Sequence, residues 1–237
     1  LVGKGTYTVG DASRLTRVPE RSIQRWTRGY RYRHHGAWRI SPPVVQPEVS
    51  FDGVPVLTFT DLIELRVLHI LRSKGVSHPT IRTASERAKA LLNTTHPFSH
   101  ARFKTDGRAV ILDVVEGIRD TALLDLVRDQ FEFQAVVAPL LSDVLDYDDT
   151  ETPRRWWPLT HKRLVVIDPQ RRFGQPIVVK EGLPTRLLAR AVANEGSAAS
   201  VAWWYEATEQ AVRDAVEYET SLSRRAAGRS LLTIRFP

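Results

Sequence analysis

Among its 237 residues the chain has no cysteine and no methionine. The missing thiols exclude disulfides, thiolate metal sites and cysteine nucleophiles, and they suit a reducing compartment. Long apolar runs are missing too: no stretch nears the roughly 20 residues that cross a bilayer. Nor do the first residues show the basic-then-apolar order of a secretory signal. A cytoplasmic protein that spans no membrane is therefore expected. The sequence lacks a phosphate-binding glycine loop and a nucleophile motif, so no enzyme and no cofactor are expected.

Three groupings of polar residues look chemical and are set aside. His96 and His100 have the spacing of paired ligands on a helix, but Pro97 between them argues against one, so no metal site is expected. Asp146, Asp148, Asp149 and Glu151 could mimic the acidic cluster of a nuclease, yet successive acids in a polar stretch are usually solvated linker. Asp168 ends an apolar run and precedes a proline, which suits a turn better than a catalytic acid.

What is present is an uneven charge. The formal net charge is +7. Residues 1–39 hold nine cations (Lys4, Arg14, Arg17, Arg21, Arg25, Arg28, Arg31, Arg33, Arg39) against Asp11 and Glu20. Nine minus two is seven, so all the rest sums to zero. Charge concentrated in this way points to an anionic partner for the N-terminal segment.

That segment also has the outline of a helix-turn-helix. Thr8 with Asp11 forms a capping-box pattern, and Val9, Ala12 and Leu15 follow at helical spacing. Val18-Pro19 breaks the pattern and starts a second helix, whose apolar side is Ile23 and Trp26 and whose end is Gly29. On the opposite side Arg21, Gln24, Arg25 and Arg28 make one stripe. Arginine can bridge guanine O6 and N7, and glutamine can pair with adenine, so this stripe is expected to read a major groove. Arg14, Arg17, Arg31, Arg33 and Arg39, with Tyr30, His34, His35 and Trp38 among them, are expected to grip phosphates.

Trp38 to Phe59, with its prolines and Asp52-Gly53, reads as an irregular strand pair, a wing. Helices are expected from Thr60 to about Gly75 and from about Pro79 to Leu92. The first has little polar face, so it is buried or meets another chain. A hairpin is expected over Arg102–Val115, then helical material over 121–145, and the acidic stretch 143–151 reads as a linker. Beyond it, apolar runs at 164–167 and 177–179 read as strands, followed by helices near 184–194, 198–205 and 208–222. The acids of the last helix (Glu206, Glu209, Asp214, Glu217, Glu219 against Arg213) would repel phosphates and suit a protein contact or a solvated face.

Two resemblances sharpen these readings. Tyr7-Thr8-Val9, Ala12, Leu15, Thr16, Val18-Pro19, Arg25-Trp26, Phe59-Thr60-Asp61-Leu62, Arg72 to Ser77 and Ile81 resemble MerR-type winged helix-turn-helix domains over residues 7–92. That family implies a homodimer. Its metal sensing often uses cysteines, so metal sensing is not carried over. Residues 156–222 resemble a C-terminal domain of uncharacterised type in VapB-like type II antitoxins. The resemblance rests on Ile167-Asp168-Pro169, Phe173-Gly174-Gln175-Pro176-Ile177-Val178, Leu183-Pro184-Thr185, Glu195-Gly196, Trp204-Tyr205, Val212, Ala215 and Tyr218. The stretch Lys180-Glu181-Gly182-Leu183 departs from the family's usual Gly-Thr-Arg-like sequence.

The expected architecture is mainly α with small β-hairpins. A winged helix-turn-helix over 1–95 leads to a connecting region over 96–155, a helix-turn-helix-like three-helix antitoxin domain over 156–222, and a basic-apolar tail over 223–237. The resemblance implies two partners, double-stranded operator DNA and a PIN-like (VapC-type) ribonuclease toxin, with the antitoxin repressing its own operon. Arg224, Arg225, Arg229, Leu231, Leu232, Ile234, Arg235 and Phe236 would contact the toxin, an arginine pairing with the carboxylates that hold its metal. A MerR-like regulator sensing a small ligand, and a nuclease using the acidic residues, are the rival readings.

Overall fold

Thr8 takes extended backbone angles, and its hydroxyl accepts the Asp11 amide while Asp11 reaches back to the Thr8 amide. This reciprocal cap starts α1 (Val9–Thr16), which ends as Arg17 turns into the left-handed region. Val18 is buried and Pro19 precedes α2 (Glu20–Arg28), whose Ile23, Trp26 and Thr27 are buried. The same device opens α3 (Phe59–Ser73), where Thr58 and Asp61 cap each other. The two starts are tied directly: Tyr7 and Leu57 exchange amide-to-carbonyl hydrogen bonds of 2.9 and 3.1 Å.

The computed structural model describes residues 3–47, 49–52, 54–103, 144–159 and 163–230, in two units: Thr6–Arg154, and Leu1–Gly5 with Arg155–Pro237. In the first unit two antiparallel hairpins follow α2. One joins β1 (Tyr30–His34) to β2 (Ala37–Ser41), and the other joins β3 (Val49–Phe51) to β4 (Val54–Val56). The strand pair expected around Asp52-Gly53 is there. The arginine-rich stretch is a separate hairpin, however, beginning at Tyr30 rather than Trp38. Its two-residue turn has His35 and Gly36 both at positive φ, the turn that matches strand twist.

Helix α3 buries Leu62, Ile63, Leu65, Val67, Leu68 and Leu71 within this unit, which accounts for its sparse polar face. Helix α4 (His78–Leu92) starts at Ser77, whose hydroxyl accepts the Thr80 amide. The expected hairpin and helices over 104–143 lie outside the described residues. The acidic stretch expected as a linker holds a strand, β5 (Leu145–Tyr147), hydrogen-bonded to β6 (Pro153–Trp156). In the turn between them Asp148 Oδ1 accepts the Thr150 and Thr152 amides at 2.9 and 3.0 Å.

One buried carboxylate in this unit titrates unusually. Glu64 accepts the Phe98 and Ser99 amides, while His96 Nε2 lies 3.0 Å from Asp61 Oδ1. Burial pushes the Glu64 carboxyl up to about 7, against the opposing pull of His96 and the two amides. Because the folded value lies above the ordinary one, this stability is whole in acid and is lost as pH rises through about 7. Glu64→Gln, a neutral isostere, is therefore expected to gain Tm relative to wild type as pH rises from about 5 to about 8. A difference that stays level across that range would refute the assignment.

In the second unit Trp156 pairs with Ile167, and β7 (Val165–Ile167) runs antiparallel to β8 (Pro176–Val178). Asp168 is a turn residue: its buried carboxylate accepts the Gln170 amide at 2.9 Å and Arg155 Nε at 3.0 Å. Three helices follow, α5 (Thr185–Glu195), α6 (Ala198–Trp204) and α7 (Glu209–Ser230). Val178, Leu188, Val201, Ala202, Ala211, Val212 and Ala215 form their shared core. Helix α7 extends to Ser230, past the expected end at 222, and Tyr218 and Leu222 are buried along it.

Candidate nucleic-acid interface

The stripe on α2 stands where its periodicity demands. Arg21, Gln24, Arg25 and Arg28 are exposed, while Ile23 and Trp26 are buried behind them. The helix is held from its apolar side. The Trp26 carbonyl accepts the amides of Val44 and Val45 at 2.8 and 3.1 Å, fixing the chain after the first hairpin to its last turn. Arg21, Gln24 and Arg28 make no side-chain hydrogen bond or ion pair among the described residues. Arg25 differs from them, its guanidinium lying 5.3 Å from the centre of the Tyr30 ring.

The hairpin β1–β2 projects from this helix with residues 31–40 all exposed. Strand alternation sends Arg31 and Arg33 to one face, and the register sets Ile40 opposite Arg31 and Trp38 opposite Arg33. Both guanidiniums lie over the Trp38 ring, at 5.3 and 5.4 Å from its centre. Arg39 pairs with Tyr32 on the other face. Arg14 is half-buried on α1, and Arg17 is exposed at the α1 C-cap.

Three features of this site have no signal in the local sequence. Gly29 has φ +72, and a Cβ there would lie 2.4 Å from the Ser41 carbonyl oxygen, so helix and hairpin base touch backbone to backbone. Arg82, on α4, donates to Ser41 Oγ at 2.6 Å and to the Pro42 carbonyl at 3.2 Å, bracing the same base. His78 packs edge-on against both Trp26 and Tyr30, at 6.2 and 6.3 Å between ring centres. Burial, then the charges of Arg72, Arg25 and Arg82, lower the His78 pKa and favour its neutral form. Helix, hairpin and α4 are thus joined by one aromatic and guanidinium contact set.

The acidic reading of α7 needs correction. Asp214 is buried and accepts from Gln210, Glu219 accepts from Thr185 Oγ1 at 2.6 Å, and Glu209 pairs with Arg213. Two of the five acids therefore serve internal contacts rather than a negative surface. The side chains of Arg224, Arg225 and Arg229 on α7, and residues Leu231, Leu232, Ile234, Arg235 and Phe236, lie outside the described residues. His96 and His100 do not converge: His96 faces Asp61, and His100 lies 3.8 Å from Glu151. Among the described residues no three His, Cys, Asp or Glu side chains are grouped as a metal would require, and no helix is long and apolar enough to cross a membrane.

The class of the N-terminal part is given by similarity. Residues 5–85 match a protein-family model described as "Putative DNA-binding HTH domain". These residues include α1, α2, both hairpins, α3 and the N-terminal half of α4. Among individual proteins, the chain is similar to "Putative antitoxin VapB45" of Mycobacterium tuberculosis, 26% identical over 228 residues, covering 89% of this chain and 92% of that one. It also shares the fold of the crystal structure of Rv2018 from Mycobacterium tuberculosis, with a TM-score of 0.69 at 21% identity over 89% of this chain and 96% of that one.

Proposed function

We propose that this protein is the antitoxin of a type II toxin–antitoxin pair, acting as a cytoplasmic homodimer that binds operator DNA and represses its own operon. One observation carries the DNA half of the reading: α2 holds Arg21, Gln24 and Arg28 outward while its tryptophan side is anchored inside. In this reading those three side chains and Arg25 contact base edges, and Arg14, Arg17, Arg31, Arg33 and Arg39 hold the backbone. The MerR-like arrangement of winged helix-turn-helix and second helical pair is part of the same proposal. Similarity to an antitoxin over most of both chains supports the other half, neutralisation of a PIN-like (VapC-type) toxin.

A protein-binding role for the second unit has physical support. Phe173, Trp203 and Trp204 are 73%, 73% and 66% exposed, and large exposed aromatics are typical of interface anchors. The basic tail, Arg224 to Phe236, is proposed to reach the toxin's metal-binding carboxylates.

The DNA half is tested with duplex from upstream of the protein's own gene. Neutralising about six to ten phosphates per dimer predicts that affinity falls about a thousandfold to a hundred-thousandfold between about 50 and about 200 mM salt. A response flat in salt would refute it. Coexpression with the product of the adjoining gene tests the toxin half: a stable complex lacking ribonuclease activity is expected. Separate elution with the nuclease still active would reject it.

A further inference from the structure

We infer that Trp38 is itself a DNA contact, with its ring seated on the deoxyribose surface of the backbone between phosphates held by Arg31 and Arg33; this rests on the DNA-binding reading above. Trp38 is 60% and Ile40 74% exposed. Two large apolar side chains left in water on one face of a projecting hairpin mark a contact surface.

The occupant follows from the chemistry beside them. Arg31 and Arg33 share that face and both lie over the Trp38 ring. An apolar protein groove that took up the ring would also have to desolvate two guanidiniums without supplying them anions, which is costly. A second copy of the hairpin would bring like charges together. A sugar–phosphate strand alternates anionic phosphate with apolar deoxyribose, and this face sets two cations on one strand beside an apolar ring on the next. Residues 30–41 hold Arg31, Arg33 and Arg39 and no acid, so nothing in the hairpin opposes a polyanion. The guanidiniums would bring the strand in, and the ring would take up the surface between charges.

A backbone contact reads no sequence, so the probe is a random-sequence duplex of about 30 base pairs, titrated with the full-length protein across salt concentrations. Trp38→Ala is expected to bind about a hundredfold more weakly at every salt concentration, the scale of losing one aromatic anchor from each protomer of the dimer, with the wild-type salt slope kept. The pair Arg31→Ala, Arg33→Ala should instead flatten that slope by about four units, two from each protomer of the dimer. Trp38→Phe, which keeps a flat apolar face, should recover most of the lost affinity. Binding by Trp38→Ala equal to wild type would overturn the inference. So would a slope flattened as in the arginine pair, since the ring would then act only by orienting Arg31 and Arg33. A Trp38→Phe as weak as Trp38→Ala, or a change of solution mass by light scattering in Trp38→Ala, would also overturn it, the latter by placing the ring between copies. Wild-type protein that binds no duplex would instead remove the DNA-binding reading itself.

Discussion

Gly29→Ala is expected to lower the melting temperature by about 10 °C and to weaken DNA binding at the same time. The glycine sits at φ 72 and ψ −177, a region that side chains other than hydrogen scarcely enter. A methyl group there would stand 2.4 Å from the Ser41 carbonyl oxygen and 3.2 Å from backbone atoms of Pro42 and Pro43. None of these is the end of a flexible side chain, so the backbone itself must yield. Strain of about 1–3 kcal/mol and overpacking of about 1–3 kcal/mol add to about 4 kcal/mol, and for a chain of this size each kcal/mol is worth about 2–4 °C. The relief lies in pushing the β1–β2 base away from the end of α2. That displaces Arg31, Arg33 and Arg39 from the helix they accompany, so the salt dependence of binding should fall with the affinity. Calorimetry and a salt titration check both parts. An alanine variant melting within a degree or two of wild type would refute the close approach.

The opposite pattern is expected of Arg21→Ala, Gln24→Ala, Arg28→Ala combined: an unchanged melt with lost discrimination. These side chains are exposed and make no hydrogen bond or ion pair among the described residues, and alanine is a good helix former. Each well-placed contact from such side chains to a base edge is worth about 1–3 kcal/mol of discrimination. Removing three should reduce the preference for the upstream duplex over random sequence by about a hundredfold or more. Competition binding measures the ratio directly. A triple variant that keeps its preference would place base reading elsewhere.

How far the sequence can be read depends on the range of the forces involved. Capping and helical period are local, so Thr8 with Asp11, the Val18-Pro19 turn and the Arg21–Arg28 stripe spell out a helix-turn-helix in the order of residues alone. The anchored tryptophan side follows from the same period. The arginine-rich hairpin is harder to place, because its strands are nearly all polar and aromatic. No buried face gives them alternation, and His35-Gly36 is a less familiar turn signal than Asp52-Gly53. The acidic segment 143–151 misleads for a related reason. Asp148, Asp149 and Glu151 are exposed in a tight turn, while Val144, Leu145 and Pro153 on either side supply the burial. Contacts made at a distance leave no local trace at all: Arg82 on Ser41, His78 between Trp26 and Tyr30, and Glu64 capping the turn at Phe98. Those depend on chain segments between 34 and 52 residues apart meeting in space.

The paired hydrogen bonds between Tyr7 and Leu57 set a lower limit on how small a working fragment can be. A peptide ending at Ser41 would keep every arginine of the interface, yet α1 would lose the neighbour that fixes where its first turn begins. It would also forfeit Val44 and Val45, which are bonded to the Trp26 carbonyl, and the Arg82 brace. Trimming from the C-terminal side should therefore leave the binding surface intact only while the cut falls beyond α4. Shorter pieces would carry the right chemistry on a scaffold with no fixed shape.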